Sequence, residues 1–237
     1  MQIDATKPFE PLDDNRIISE MIVSSGRNTS KPILVVSDVD STFIKQEVIE
    51  LLARFAGKES EVAAVTERAM RGEIDFSQSL KQRVGVLAGL SENVLNEVLK
   101  DIQLSDGAEN LVSKITSQGN YFALVSGGFS QILTPICDRV GIEFFLANSL
   151  EIKQGLLTGN ISGPIIDAQA KASYLKSLAE RLDIPLTNAI AIGDGANDLE
   201  MMKIAGISVS FNGKPIVVDE ADISIVGPWL DHVLAIL

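Results

Sequence analysis

The sequence predicts an α/β protein: a Rossmann-like parallel sheet core with helices on both faces and a small helical module inserted near its start. Three observations predict it. Short apolar runs recur without polar alternation, as in strands covered on both faces. Stretches with helical periodicity separate them. One interval between runs, nearly 90 residues long, far exceeds the ~30 that a strand–helix–strand unit needs.

Residues 1–31 read as a peripheral extension. The stretch 24–32 is small, polar and broken by Gly26 and Pro32, the composition of a linker. The stretch 15–23 before it offers one short element at most. Ile33–Ser37 is the first buried strand. Tyr121–Ser126, Ala189–Asp194, Gly206–Phe211 and Ala221–Val226 repeat the pattern.

Between Glu47 and Ser105 no strand-like run appears. Val48, Leu51, Leu52 and Phe55 share one helical face, and Val62, Val65 and Ala69 a second. Val94, Leu95, Val98 and Leu99 share a third, which Ser91 is placed to cap. Because this segment follows the first strand, it is expected over the carboxyl ends of the strands, where open α/β sheets bind ligands. A cap at 47–105 and a core at 32–46 and 106–237 are the expected division. Within that core, Gly107–Gly119 is read as a helix burying Leu111, Val112 and Ile115. The stretch 134–163 is read as a helix kinked at Pro135, a short strand and a Gly-rich hairpin. Asp167 is expected to cap a helix with Ala172, Leu175, Leu178, Ala179 and Leu182 on one face.

The chain has 237 residues, 46% of them hydrophobic, enough to bury a core and a smaller module. Its net charge of −12 disfavours nucleic acid and anionic membranes as partners. An anionic small molecule stays compatible where a local cation reverses the field. No apolar run approaches the ~18 residues of a membrane span, and the acidic start lacks a signal-like apolar stretch, so a cytoplasmic protein is expected. Cys137, alone and among apolar residues, is read as a buried inert thiol. His232, the one histidine, is read as a packing residue. Monomer and homodimer are both compatible with the sequence.

Polar residues end the strands: Asp38 and Asp40 after the first, Ser126-Gly127-Gly128 after the second, Asp194 and Asp198 around the third. Each alone has an ordinary use in a turn. In a parallel sheet these ends lie along one rim, so the four carboxylates come together and repel. A hard divalent cation, most simply Mg2+, relieves that repulsion. Lys171 stands in the first turns of its helix, where a cation opposes the dipole; this marks it as a second positive charge for the rim. A hydroxyl and free N–H groups at Ser126-Gly127-Gly128 form an anion nest. Metal, lysine, hydroxyl and N–H groups together suit a phosphoryl group. Of two carboxylates on one short loop, one can attack phosphorus and the other can move protons.

DVDST, SGG, the lysine of DAQAK, and GDGAND resemble the four motifs of the haloacid dehalogenase superfamily of phosphotransferases. The run TERAMRGEIDFSQSLKQRV resembles the cap of its members that hydrolyse O-phospho-L-serine, and the likeness spans residues 33–225. The resemblance implies Asp38 as nucleophile and Asp40 as general acid/base. It implies Mg2+ held by Asp38, the Asp40 carbonyl and Asp194, with Asp198 in support. Ser126 and Lys171 would bind phosphoryl oxygens, Gly127 and Gly128 would allow close backbone approach, and Asn197 would assist. In the cap, Glu47 would meet the substrate ammonium and Arg83 its carboxylate, behind a shield of Met70 and Phe76. Phe43 and Gly85 depart from the family pattern, which bears on packing more than on chemistry. Residues 1–31 are too short for the regulatory domain that some members carry, so no control by serine through such a domain is expected. Two other readings compete: a phosphatase for another small phosphomonoester such as phosphothreonine or phosphohomoserine, and a phospho-accepting receiver-like signalling domain. The long insertion and Asp40 speak against the latter.

Overall fold

The computed structural model describes residues 1–9, 26–71 and 73–237, apart from the Met70 side chain. The short element expected at 15–23 lies outside them. Among the described residues eight strands form the sheet: β1 (Gln2–Asp4), β2 (Leu34–Ser37), β3 (Tyr121–Phe129), β4 (Phe144–Lys153), β5 (Leu156–Ser162), β6 (Ala189–Gly193), β7 (Ile207–Phe211) and β8 (Ile223–Val226). Their order is β1-β8-β7-β6-β2-β3-β4-β5, parallel throughout except for the antiparallel β4–β5 edge.

The unbroken apolar runs of β2, β3 and β6 follow from having a core on each face, whereas β7 and β8 feed one core and place Ser208, Ser210 and Ser224 at alternate positions. Val35 joins Leu111 and Ile115 of helix α5 (Ala108–Ser117) in one core. Its neighbours Leu34 and Val36 join Leu175, Leu178 and Ala179 of α7 (Ala168–Arg181) in the other. Alternate side chains of one strand point to opposite faces, so both sets must be apolar where each face has a core. Asp167 caps α7 as expected, its Oδ1 accepting from Ala170 N at 2.9 Å.

Four helices follow β2: α1 (Val48–Phe55), α2 (Glu59–Met70), α3 (Phe76–Gly85) and α4 (Asn93–Asp101). The chain enters and leaves them through adjacent connectors. Lys45 N donates to Gln103 O at 2.9 Å and Ser105 N to Phe43 O at 2.9 Å, either side of an Ile44–Leu104 bridge. Of the expected faces, Val48, Leu51, Leu52, Val62, Leu95 and Val98 are buried, but Phe55 is 44% exposed. It is the last residue of α1. Helix α4 starts at Asn93, later than a Ser91 cap implies; Ser91 Oγ still accepts from Asn93 N at 3.3 Å.

Three further differences stand out. Residues 2–4, read as peripheral, pair with Ser224–Val226 as an edge strand, a length too short for any sequence pattern. The helix α6 (Ser130–Val140) begins earlier than expected and runs through Pro135. The expected short strand is the ten-residue β4, which forms the hairpin with β5. His232 is buried against Phe9, ring centroids 5.5 Å apart, as a packing residue would be.

Candidate active site

The carboxyl ends of β2, β3 and β6 meet under the inserted helices. Asp38 leaves β2, and the turn after it bends sharply: Ser41 adopts φ +58°, a left-handed conformation costly for a non-glycine residue. This turn carries Asp40 into a cavity of about 40 Å³. From the core, Asp38, Asp40, Ser126, Gly127, Gly128, Asp194 and Asn197 line it; from the inserted segment come Glu47, Phe76 and Arg83. Met70 ends α2, and its side chain is outside the described residues. Lys171 and Asp198 do not line the cavity but lie wholly buried beside it.

Lys171 Nζ donates to Asp38 Oδ1 at 2.5 Å and to Asp198 Oδ1 at 2.7 Å. Asp198 Oδ2 accepts from the N–H groups of Asp194 and Gly195, both at 3.1 Å. Both Asp198 oxygens are therefore occupied, which suits a supporting role better than ligation. Among the described side chains, Asp194 takes only the Thr42 hydroxyl, at 3.3 Å on Oδ1. Oxygens of Asp38, Asp194 and Asp198 lie within 4.8 Å of one another. One lysine cannot balance three such carboxylates, so a divalent cation fits this set of hard oxygen donors.

Burial sets the titration of these groups. It lifts Asp38 to about 7, assisted by Asp198 and opposed by Lys171. Burial, then the charges of Glu47 and Asp38, holds Asp40 well above the ordinary carboxyl range. Asp194 is raised in the same way by burial, Asp38 and Asp198. Burial alone would lower the Lys171 amine, but Asp198 and Asp38 outweigh it and keep it charged. Asp40 Oδ1 is buried with no hydrogen-bond partner among the described residues, free to act in the cavity.

The glycines are present because side chains would collide. A Cβ on Gly127 would lie 2.5 Å from Phe76 Cζ; one on Gly128 would lie 2.9 Å from Ser126 Oγ and 3.0 Å from Asp40 Oδ2. Ser126 Oγ accepts from Gly128 N at 2.7 Å, which leaves its own proton to donate. In the inserted helices, Glu47 accepts from Ser41 Oγ at 2.5 Å and is raised by burial. Arg83, lowered by burial, bonds to Thr66 and Ser79.

Sequence reasoning missed Asn148. The β3–β4 ladder shifts register between Ser126 and Phe129. The Asn148 amide bridges this gap: Nδ2 donates to Gly127 O and Oδ1 accepts from Ile166 N, both at 2.8 Å. It ties the glycine turn to the segment that launches α7. Its only trace in sequence is an amide inside an apolar strand. Thr42, Thr66 and Ser79 were missed for a similar reason: small hydroxyls on helices and turns carry no pattern.

A parallel sheet with acidic strand ends, one buried lysine and inserted helices over them defines a class, and the chain belongs to the haloacid dehalogenase-like hydrolases, whose family model matches residues 35–203. Its relatives narrow this further. It is 46% identical over 216 residues to the phosphoserine phosphatase of Streptomyces coelicolor, covering 91% of this chain and 53% of that one. It is 45% identical to the phosphoserine phosphatase of Streptococcus thermophilus, covering 86% of this chain and 95% of that one. Among solved structures, a phospho-aspartyl intermediate analogue of phosphoserine phosphatase superposes with a TM-score of 0.84 at 38% identity, over 86% of this chain and 98% of that one. A substrate-bound phosphoserine phosphatase complex gives 0.84 at 37%, over 86% and 97%. The chain spans about half the length of the Streptomyces coelicolor and Mycobacterium tuberculosis relatives.

Proposed function

We propose that this chain hydrolyses O-phospho-L-serine to L-serine and phosphate, the last step of serine biosynthesis, through an aspartyl-phosphate on Asp38. One observation carries the reading. Glu47 and Arg83 line the same cavity as Asp38, Asp40 and Ser126, so partners for an ammonium and a carboxylate face partners for a phosphoryl group. The phosphoserine phosphatases that the chain resembles over most of its length support it.

The chemistry divides among named residues. An Asp38 oxygen attacks phosphorus as the bond to the serine oxygen breaks, and Asp40, whose protonated form burial favours, gives that oxygen its proton. Asp40, now a carboxylate, takes a proton from the water that attacks the aspartyl-phosphate. Phosphate leaves, and Asp38 and the protonated Asp40 are restored. Ser126 and Lys171 bind phosphoryl oxygens, with Gly127 and Gly128 giving backbone access and Asn197 assisting. Asp38, the Asp40 carbonyl and Asp194 are the ligands for Mg2+, which when bound offsets charge on the phosphoryl oxygens; Asp198 supports them through Lys171. Met70 and Phe76 shield the site. The reading includes a cap at 47–105 that opens to admit substrate and closes for reaction; the paired connectors at 43–45 and 103–105 support that boundary. Residues 1–31 stand as an N-terminal extension outside that division, with 2–4 completing the sheet edge. Among the described residues no helix is long and apolar enough to cross a membrane, and with a net charge of −12 we place the enzyme in the cytoplasm.

The test is phosphate release from O-phospho-L-serine, O-phospho-L-threonine and p-nitrophenyl phosphate, with Mg2+ and with EDTA. Release that needs Mg2+ and is fastest from phosphoserine is expected. Release from the aryl ester alone would remove the phosphoserine assignment, and a stable phosphoprotein without release would remove the hydrolase reading.

A further inference from the structure

Arg83 is only 5% exposed, yet no carboxylate lies within ion-pair distance of it among the described residues. Neutral oxygens hold it instead. Nη1 donates to Thr66 Oγ1 at 3.0 Å, Nε to Ser79 O at 3.2 Å and Nη2 to Ser79 Oγ at 3.3 Å. A hydroxyl can turn its proton toward any neighbour, but both of these protons are engaged. Thr66 Oγ1 donates to Val62 O and Ser79 Oγ to Phe76 O, each at 3.0 Å. The two oxygens therefore present lone pairs to the guanidinium. The Phe76 ring covers one face of it, 5.9 Å from centroid to Cζ. A guanidinium carries five N–H donors. Three are bonded here, which leaves one on each terminal nitrogen, the number that a two-point contact with a carboxylate takes up.

We propose that Thr66 and Ser79 are positioning residues that set substrate selectivity: by holding Arg83 with neutral acceptors they orient it, and leave one N–H donor on each terminal nitrogen open, for the carboxylate of an amino-acid phosphate. A carboxylate in their place would neutralise the arginine before substrate arrived. Glu47, Asp40 and Glu50 act on the Arg83 charge from beyond ion-pair distance, but a substrate lacking the carboxylate leaves its two open N–H donors buried and unpaired, so the site disfavours it. The inference rests on the phosphoserine reading above.

The test measures kcat and KM of the full chain with O-phospho-L-serine and with p-nitrophenyl phosphate, which has no carboxylate. Thr66→Val keeps the shape and removes the acceptor. It is expected to lower the phosphoserine-to-aryl ratio of kcat/KM about tenfold, chiefly through KM. Thr66→Ser, which retains the oxygen, is expected to keep the ratio. In an Arg83→Ala background, Thr66→Val should change the ratio no further, because its effect passes through Arg83. Ser79→Ala supplies the same comparison should the valine variant fail to fold. Equal losses on both substrates, or a further fall in the Arg83→Ala background, would overturn the positioning role. If Arg83→Ala lowers the ratio and Thr66→Val and Ser79→Ala do not, the positioning role alone falls. If Arg83→Ala leaves the ratio unchanged, the phosphoserine reading falls and this inference with it.

Discussion

The ammonium of Lys171 lies 2.5 Å from Asp38 Oδ1, and neither side chain has appreciable contact with solvent. The lysine is shared with Asp198 and is the one cation bonded to the cluster in the described structure. Removing the one cation bonded to this buried set leaves its carboxylates uncompensated, at a cost of about 3–5 kcal/mol, whereas losing one carboxylate leaves the lysine paired with the other. Lys171→Met is expected to lose that much stability in urea unfolding without metal, to recover part of it with Mg2+, and to lose turnover.

Asp38→Asn keeps the shape and an oxygen for Lys171 but removes the proposed nucleophile. The variant should fold, with a melting temperature close to the parent's, and release no phosphate. Substantial residual turnover would exclude attack by Asp38.

Gly127 and Phe76 meet across the cavity, one from β3 and one from α3. A methyl at Gly127 has to displace the Phe76 ring, since 2.5 Å is far inside contact distance. Overpacking of this kind costs about 1–3 kcal/mol. Gly127→Ala is therefore expected to reduce kcat/KM roughly 10- to 100-fold, and a second change, Phe76→Leu, should restore part of it. No recovery in the double variant would show that the loss arises in the glycine turn itself.

Asn148 bonds Gly127 O and Ile166 N from inside the sheet. Asn148→Ala leaves a buried acceptor and a buried donor unpaired, each costing about 1–3 kcal/mol. Lower stability should come with weaker inhibition by inorganic phosphate, because the glycine turn loses its tie. Unchanged phosphate inhibition would confine Asn148 to a stabilising role.

Glu50 in α1 is half-buried, and burial, then the charges of Glu47 and Glu59, lifts its carboxyl to about 7. A raised carboxyl keeps its proton in the folded state after the unfolded chain has lost it. Its contribution to stability is thus fully present below about 4.5 and is lost as pH rises through about 7. Glu50→Gln should melt higher than the parent at pH 8, with the difference vanishing near pH 4. A constant difference across that range would contradict a shifted carboxyl.

Periodicity and strand ends made much of this molecule legible. Five runs became β2, β3, β6, β7 and β8; β2, β3 and β6 are apolar on both faces because a core lies on each, whereas β7 and β8 feed one core and alternate their apolar residues with Ser208, Ser210 and Ser224. Asp38, Asp40, Ser126 and Asp194 could be grouped from sequence because parallel strands bring their carboxyl ends to one rim. The edge strand at 2–4 was hidden because three residues carry no period. The exposure of Phe55 was hidden because a helical stripe fixes a direction but not what lies there.

By itself, then, the sequence determined the layers of the fold, the rim where acidic side chains gather and the helices inserted above it, since these depend on patterns of a few residues. Tertiary structure alone decided which of those side chains are matched and which are left open. Lys171 chooses Asp38 across 133 positions and Asn148 reaches Gly127 across 21. Among the described residues Arg83 finds Thr66 rather than a carboxylate. Hydrogen bonds form or fail over tenths of an ångström, a scale at which only packed coordinates, and no spacing along the chain, set the partner.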